Sequence, residues 1–335
     1  MKIMTFELSS TLMIILFCWI ILTIADLTVS GLLKLIFGLP FKKAFLWGLL
    51  ALLLPPVIIA YGSLIERNCF RIKEITIKTT DLPENFDGYR IVHISDIHAR
   101  SFNGREKHLQ RAMDKINELK PDMVAFTGDL ITMTPDELEN HTHALGSLKA
   151  RDGIFSVLGN HDYSMYSDAG PEARQKHMET LISAKEALGW NLLMDENRII
   201  RRGADSIALI GVQNTSPSRH FPSKGNLTRA SKGTEGMFRI LLSHDPMHWE
   251  AEILGQNYPL TLSGHTHAMQ FSFLGWSPSS LMFKQFRGLY TRGDQSLHVN
   301  PGLGETIFPA RIGVRPEITL QTLTRRPACS KAIST

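Results

Sequence analysis

Ile91-Val-His-Ile-Ser-Asp-Ile-His98 is the stretch on which the fold turns. Ile91, Val92 and Ile94 make a short apolar run of the length and type of a buried strand, and Asp96 and His98 follow at its carboxyl end. The same grammar recurs down the chain. Met123-Val-Ala-Phe-Thr-Gly-Asp129, Ile154-Phe-Ser-Val-Leu-Gly-Asn-His-Asp162, Leu241-Leu-Ser-His244 and Leu260-Thr-Leu-Ser-Gly-His-Thr-His267 each run from a strand into polar residues. Ligand sites of open α/β sheets form outside the carboxyl ends of strands, so five such ends describe one sheet edge carrying chemistry.

Around these motifs, from Arg71 onward, short strands alternate with amphipathic helices. Strands are expected at Ile72 to Ile77, Ile91 to Ile94, Met123 to Phe126, Ile154 to Val157, Ile207 to Val212, Phe238 to Leu242, Leu260 to Leu262, Leu297 to Val299 and Ile318 to Leu323. Helices are expected at Glu106 to Leu119, Asp136 to Leu148 and Pro171 to Leu188. The pattern is that of an α/β layered fold with a mainly β C-terminal half. Ser216 to Gly236, rich in Ser, Gly, Thr and Arg, reads as a long mobile loop.

Upstream the composition changes. Leu8 to Ala25 and Ala44 to Ile65 carry no charge, and both approach the roughly 20 apolar residues that span a bilayer core. They read as two transmembrane helices, with Pro55-Pro56 kinking or ending the second and Asp26 near an interface. Lys34, Lys42 and Lys43 in the connection are balanced by Lys2, Arg67, Arg71 and Lys73 on the flanks, so charge does not set the orientation. The expected organisation is a membrane anchor over residues 1–66, a catalytic domain over 71–324 and a C-terminal tail over 325–335. A net charge of +4 with no basic block makes nucleic acid an unexpected partner. Three cysteines, Cys18, Cys69 and Cys329, build neither a disulfide framework nor a thiolate zinc site.

The residue types at the strand ends suit a pair of divalent cations. Histidine nitrogen and carboxylate or amide oxygen are borderline and hard donors, with no thiolate among them. Two metals need a shared ligand, and Asp129, central in the series, is the natural bridge, while Asn160 limits the accumulated negative charge. Gly128, Gly159 and Gly264 let the backbone turn just before a ligand.

In identity and order these five motifs resemble the calcineurin-like metallophosphoesterase superfamily. The lead-in from Phe86 to His98 behind apolar helices is similar to its membrane-associated YaeI/YkuE-type phosphodiesterase subgroup. The resemblance covers about Ile72 to Leu323 and implies that family's fold, two β-sheets flanked by helices. It further implies that Asp96, His98 and His267 hold one metal, that Asn160, His244 and His265 hold the other, and that Asp129 bridges them. His161 is similar to the family's non-ligand histidine, which contacts the phosphate or protonates the leaving oxygen. Asn300-Pro-Gly-Leu-Gly304 stands where a Ser-Arg-Gly-x-Gly-like turn is expected.

The implied reaction uses two cations roughly 3.5–4 Å apart to lower the pKa of a shared water toward about 7, the resulting hydroxide attacking phosphorus in line with the departing alcohol. Mn, Fe and Zn all suit the donors. The expected activity is that of a membrane-anchored phosphoesterase acting on a phosphodiester or related ester, possibly lipid-linked, with membrane lipid as a further partner. Phosphomonoesterase or nucleotide-lipid pyrophosphatase of the UDP-diacylglucosamine type is the alternative, and a non-catalytic membrane module the remaining one. Among the other groups, His93 reads as a hydrogen-bonded core residue and the pair His141 and His143 as a surface feature. His248 and His220 are candidates for a substrate path. Asp162 either orients His161 or caps its turn, and Arg100 and Arg292 read as surface groups, with contact to phosphate as the alternative. Phe271, Phe273, Leu274, Trp276, Leu281, Met282 and Phe283 read as core packing, with a lipid-facing lip as the alternative.

Overall fold

The computed structural model describes residues 2–326, so all but the first two residues of the expected tail, Cys329 included, lie outside the described residues. The chain opens with a hairpin of apolar helices: α1 (Lys2–Phe37), then α2 (Phe41–Gly48), a 3₁₀ segment (Leu49–Leu53) and α3 (Leu54–Leu64). Leu8–Phe37 and Phe41–Asn68 are each long and apolar enough to cross a membrane, and almost none of either is buried against protein. Pro55 and Pro56 explain the 3₁₀ segment. Neither has an N–H, so the carbonyls of Ala51 and Leu52 lose their α-helical donors. Leu54 N donates to Ala51 O instead, and the Trp19 indole of α1 donates to Leu52 O at 2.7 Å. The Asp26 carboxyl lies against Gly48 of the opposing helix, where a Cβ would collide with it, so it sits between the two helices.

The remaining elements are β1 (Arg71–Thr79), β2 (Tyr89–Ile94), α4 (Glu106–Glu118), β3 (Met123–Phe126), α5 (Thr142–Gly146), β4 (Ile154–Ser156) and α6 (Pro171–Ala187). They continue with β5 (Trp190–Leu192), β6 (Glu196–Arg202), β7 (Asp205–Gly211), α7 (Leu227–Ala230), β8 (Phe238–Leu242), β9 (Leu260–Ser263), β10 (Gly288–Arg292), β11 (Gln295–Val299) and β12 (Glu317–Arg325). Two mixed sheets result, ordered β1-β12-β2-β3-β4-β5 and β10-β11-β9-β8-β7-β6. Ile91, Met123 and Phe155 of the first meet Leu209, Ile240 and Leu262 of the second in a dry layer. The first sheet's outer face packs on α4 through Leu109, Met113 and Ile116. Strands β2, β3 and β4 are mutually parallel, as are β7, β8, β9 and β11, so their carboxyl ends gather along one edge of the sandwich.

The expected helix from Asp136 to Leu148 is broken into a 3₁₀ turn (Pro135–Leu138) and α5. The Glu137 carboxylate accepts from Thr132 N and Met133 N, both at 2.7 Å, which seals a helix start there. His141, expected on the surface, is buried at the break, its Nε2 2.9 Å from Asn103 Oδ1. Ser216 to Gly236 is not a free loop: it contains α7, and Asp195 accepts from Asn226 N at 3.0 Å and Arg229 Nη2 at 2.7 Å.

His93 is a buried core residue, with Nδ1 2.9 Å from His298 Nδ1 and Nε2 3.0 Å from Thr127 Oγ1. Burial pushes His93 down to about 3. An unfolded histidine titrates near 6.5, so between about pH 6.5 and 3 the unfolded chain binds a proton that the folded chain refuses. Stability therefore falls as pH falls through that window, by up to about 1.4 kcal/mol per unit. His93→Gln is expected to narrow the gap between melting temperatures measured near pH 7.5 and about pH 5 in detergent. An unchanged gap would show that His93 is not the group responsible.

Candidate metal centre

Five loops leave that edge of the sandwich and converge, three from the first sheet and two from the second, rather than from the edge of one sheet as expected from sequence. Asp96 and His98 follow β2, Asp129 follows β3, Asn160 and His161 follow β4, His244 follows β8, and His265 and His267 follow β9. Two groups form. His267 Nε2 is 3.1 Å from His98 Nε2 and 3.3 Å from Asp96 Oδ1. Asn160 Oδ1 is 2.8 Å from His265 Nδ1 and 3.2 Å from His244 Nε2. One oxygen of Asp129 faces both groups, 3.1 Å from His244 Nε2 and 3.7 Å from His98 Nε2. Ligand atoms of His98, Asp129 and His161 also lie within 4.8 Å of one another.

Local backbone geometry makes the convergence. Gly128 takes φ 99°, and Asp96, His98, Asp129, His265 and His267 are themselves left-handed, with φ from 44° to 75°. Such a conformation costs a non-glycine residue about 1–3 kcal/mol, and it clusters where a site over-determines it. Gly159 and Gly264 act by size: a Cβ on Gly159 would strike the Asp129 carboxyl, and one on Gly264 the Ser95 and Asp96 side chains.

The donors fit divalent cations on their own geometry. His244 Nδ1 faces the Thr127 carbonyl at 2.6 Å and must donate to it, which turns the Nε2 lone pair of a neutral ring toward Asp129 Oδ2 and Asn160 Oδ1. Asn160 Nδ2 donates to Tyr166 Oη at 2.8 Å, so its oxygen points inward too. Acceptors converging on one point require a positive charge between them. Burial opposes charge on His244, yet the Asp129 and Asp96 carboxylates lift it to about 10. Burial raises Asp96 to about 7, with Asp129 adding repulsion, and drops His265 to about 4. Buried imidazoles held neutral keep the lone pairs that bind metal.

His161 is half-buried. Its Nδ1 donates to Thr132 O at 2.7 Å, which fixes the ring and leaves Nε2 free. The ring lies 4.9 Å from that of His98 and 4.2 Å from that of Tyr166.

Asp162 holds backbone and has no bond to His161. Its Oδ2 accepts from Gly159 N at 3.0 Å and Asp129 N at 3.1 Å, and its Oδ1 from Leu130 N at 2.9 Å and Ile131 N at 3.3 Å. The buried Lys185 ammonium stands 3.8 Å beneath it and donates to Val157 O. Asp162→Ala would strand these amides and leave a buried cation unpaired, a loss of about 3–5 kcal/mol. The expected result is a drop in melting temperature together with loss of metal; unchanged stability would rule out the clamp.

Sequence reading missed Lys185 and Arg311. Lys185 had a signal, since it occupies an apolar-stripe position of α6 between Leu181 and Leu188. Arg311 had none. It is fully buried, its Nη2 donates to Pro301 O at 3.1 Å and to Gly304 O, and it lies 3.4 Å from His267 Nδ1. It thus holds the divergent 300–304 turn, whose Gly302 abuts Asp96 and His267. His248 is buried between Ser243 and Glu252 and lines no path, and His220 is exposed. Arg292 is exposed and paired with Glu250, and Arg100 reaches Met133 Sδ at 3.8 Å.

Over the metal-ligand candidates opens a cavity of about 370 Å³ with His161, His265 and His267 at its floor. Most of the remaining lining is apolar, Met133, Phe221, Met282, Phe283, Ile307 and Phe308 among it, with Thr132, Tyr166, Thr266, Gln270 and Thr306 among its polar members.

The sequence model of the calcineurin-like phosphoesterase family matches residues 89–269. Over 273 residues the chain is 32% identical to the metallophosphoesterase YkuE of Bacillus subtilis, covering 78% of this chain and 88% of that one. It is 34% identical over 280 residues to a transmembrane protein with metallophosphoesterase domain of Danio rerio, covering 81% of this chain but only 61% of the longer fish protein. It is 28% identical over 304 residues to UDP-2,3-diacylglucosamine pyrophosphatase LpxG of Chlamydia trachomatis, covering 73% and 86%.

Proposed function

The chain belongs to the calcineurin-like phosphoesterase family, and from that premise we propose that it is a membrane-anchored, dinuclear hydrolase of a lipid-linked phosphodiester or related phosphate ester. Asp96, His98 and His267 would hold one divalent cation, Asn160, His244 and His265 the other, and Asp129 both. Such a pair, when bound, lowers the pKa of water and neutralises phosphate oxygens. The chain's own residues do the rest. His161, oriented by Thr132 O, offers Nε2 to the phosphate or to the leaving oxygen. Phe221, 4.5 Å from the His265 ring, and Phe283, 5.4 Å from it, exclude water beside the reacting group.

The observation that carries the lipid-linked reading is the cavity: a polar floor for a phosphate meets apolar walls suited to an acyl or prenyl chain. An apolar hairpin seated in a bilayer would bring such a substrate within reach. Among lipid-linked substrates a nucleotide-lipid pyrophosphate is a specific second reading, favoured by the similarity to the chlamydial pyrophosphatase. The test compares soluble diesters, monoesters, phospholipids and lipid pyrophosphates at one manganese concentration with full-length protein. Lipid-linked substrates are expected to show a kcat/KM at least about tenfold higher, the size of effect that one well-placed apolar group supplies. Equal rates on soluble esters would contradict the lipid-linked reading and leave the metal assignment standing.

A further inference from the structure

Beside the cavity mouth the structure leaves a run of large apolar side chains in water. Leu274 is 92% exposed, Leu281 79%, Phe273 66%, Met282 62% and Trp276 53%. Only Phe271, half-buried, and Phe283, buried, match the core packing expected from sequence. The backbone presents these groups deliberately. Phe273 and Trp276 exchange backbone hydrogen bonds of 2.9 and 3.0 Å across a tight turn whose tip is Leu274 and Gly275. Both tip residues are left-handed, at φ 49° and 86°. A leucine held left-handed at the tip of a turn and left solvated adds no burial to the core, and with its exposed apolar neighbours it forms a surface suited to an apolar partner.

The root of this segment is bonded to the helical hairpin through one strap of chain. Ser272 N donates to Ile312 O at 2.8 Å, and Ile312 N donates to Gln270 O at 2.9 Å. Ala310, Arg311 and Ile312 in turn pack on Gly62 of α3, so closely that a Cβ there would overlap them. Arg67 Nη1 donates to Pro309 O at 2.7 Å, and Glu66 Oε2 accepts from Gly313 N at 2.9 Å. The apolar segment therefore stands next to the end of the second membrane-length helix. Arg71, Arg287 and Arg315, together with Glu66 and Glu317, line a polar cavity at that same junction.

We propose that Phe273 to Met282 is a second membrane contact, seated in the bilayer surface beside the hairpin, so that the active-site cavity opens onto lipid. The occupant is the lipid surface itself. Aromatic and aliphatic groups with arginines nearby are the composition of an interfacial contact, and the patch is tied to the apolar hairpin through the 309–313 strap. Met282 belongs both to the exposed run and to the cavity lining, where Ile307 and Phe283 extend the apolar surface toward His265. A lipid substrate slides in from the membrane without passing through water.

The inference rests on the membrane-anchored reading, and its test separates the two. In full-length protein with Cys18, Cys69 and Cys329 replaced by serine, single cysteines at Leu274, Leu281, Leu53 and Glu235 are labelled with a fluorophore. Each protein is reconstituted into phosphatidylcholine–phosphatidylglycerol vesicles whose acyl chains carry bromine. Leu53 lies in the hairpin, and Glu235 precedes β8 at the opposite edge of the sandwich. Labels at Leu274 and Leu281 are expected to be quenched at least about threefold more than the label at Glu235, the difference between an interfacial and an aqueous position. Quenching at Leu53 without quenching at Leu274 or Leu281 would overturn the second contact while sparing the anchor, and would point to a protein partner or a second copy on this patch. No quenching at Leu53 would overturn both.

Discussion

Asp129→Asn is expected to cut bound metal from two ions per chain to one or none and to abolish turnover. Asparagine preserves the shape and the neighbours of the side chain but replaces an anionic oxygen facing His98 and His244 with a neutral amide. Removal of the one group that faces both sets forfeits several kcal/mol of metal-dependent stabilisation, which at about 1.4 kcal/mol per decade is three or more decades in rate. Metal analysis of the purified variant, alongside hydrolysis of bis(p-nitrophenyl) phosphate, reads both effects. Two retained metals with full activity would remove Asp129 from the bridging position. Folding is controlled by the circular dichroism spectrum of the metal-stripped variant, whose melting temperature is expected to fall because buried His244 loses the carboxylate it pairs with.

His161→Gln is expected to behave in the opposite way, keeping both metals while kcat falls roughly 10²–10⁴-fold, the range of a general acid contribution. The loss should be largest for poor leaving groups and small for p-nitrophenolate, which departs without a proton. Because His161 also stands close to His98 and Asp129, the alternative is a ligand, and loss of one metal from this variant would make it one. The hydrogen bond to Thr132 O favours the acid role, since it fixes a ring whose free nitrogen opens to the cavity.

Much of the fold was legible because its inner strands are short apolar runs ended by glycine or polar residues. Met123 to Phe126 and Phe238 to Leu242 were read to the residue. The strands that escaped, β5, β6 and β10, are all at sheet edges. An edge strand is solvated along one side, and Glu196 to Arg202, with its mixed charges, has no apolar run to announce it. The broken helix at Asp136 escaped for a different reason. Its apolar spacing is helical, but the Glu137 carboxylate reaches back to the amides of Thr132 and Met133, a tertiary choice that periodicity does not encode.

At the site, sequence supplied the residues and the structure supplied their conformations. Glycines were expected to make the turns, whereas five of the metal-ligand candidates are themselves left-handed. No local pattern marks a histidine for that conformation. Asp162 was divided between two roles, and its four backbone contacts assign it to the loop. The apolar residues from Phe273 to Met282 were read as core because hydrophobicity alone cannot tell an inward face from an exposed one.

Anomalous scattering from crystals of the full-length chain loaded with manganese tests the central claim most directly. Two peaks are expected, one bonded by Asp96, His98 and His267, the other by Asn160, His244 and His265, with the Asp129 carboxylate between them. A single peak held by another set of residues, or none at all, would contradict the dinuclear centre and with it the proposed hydrolysis.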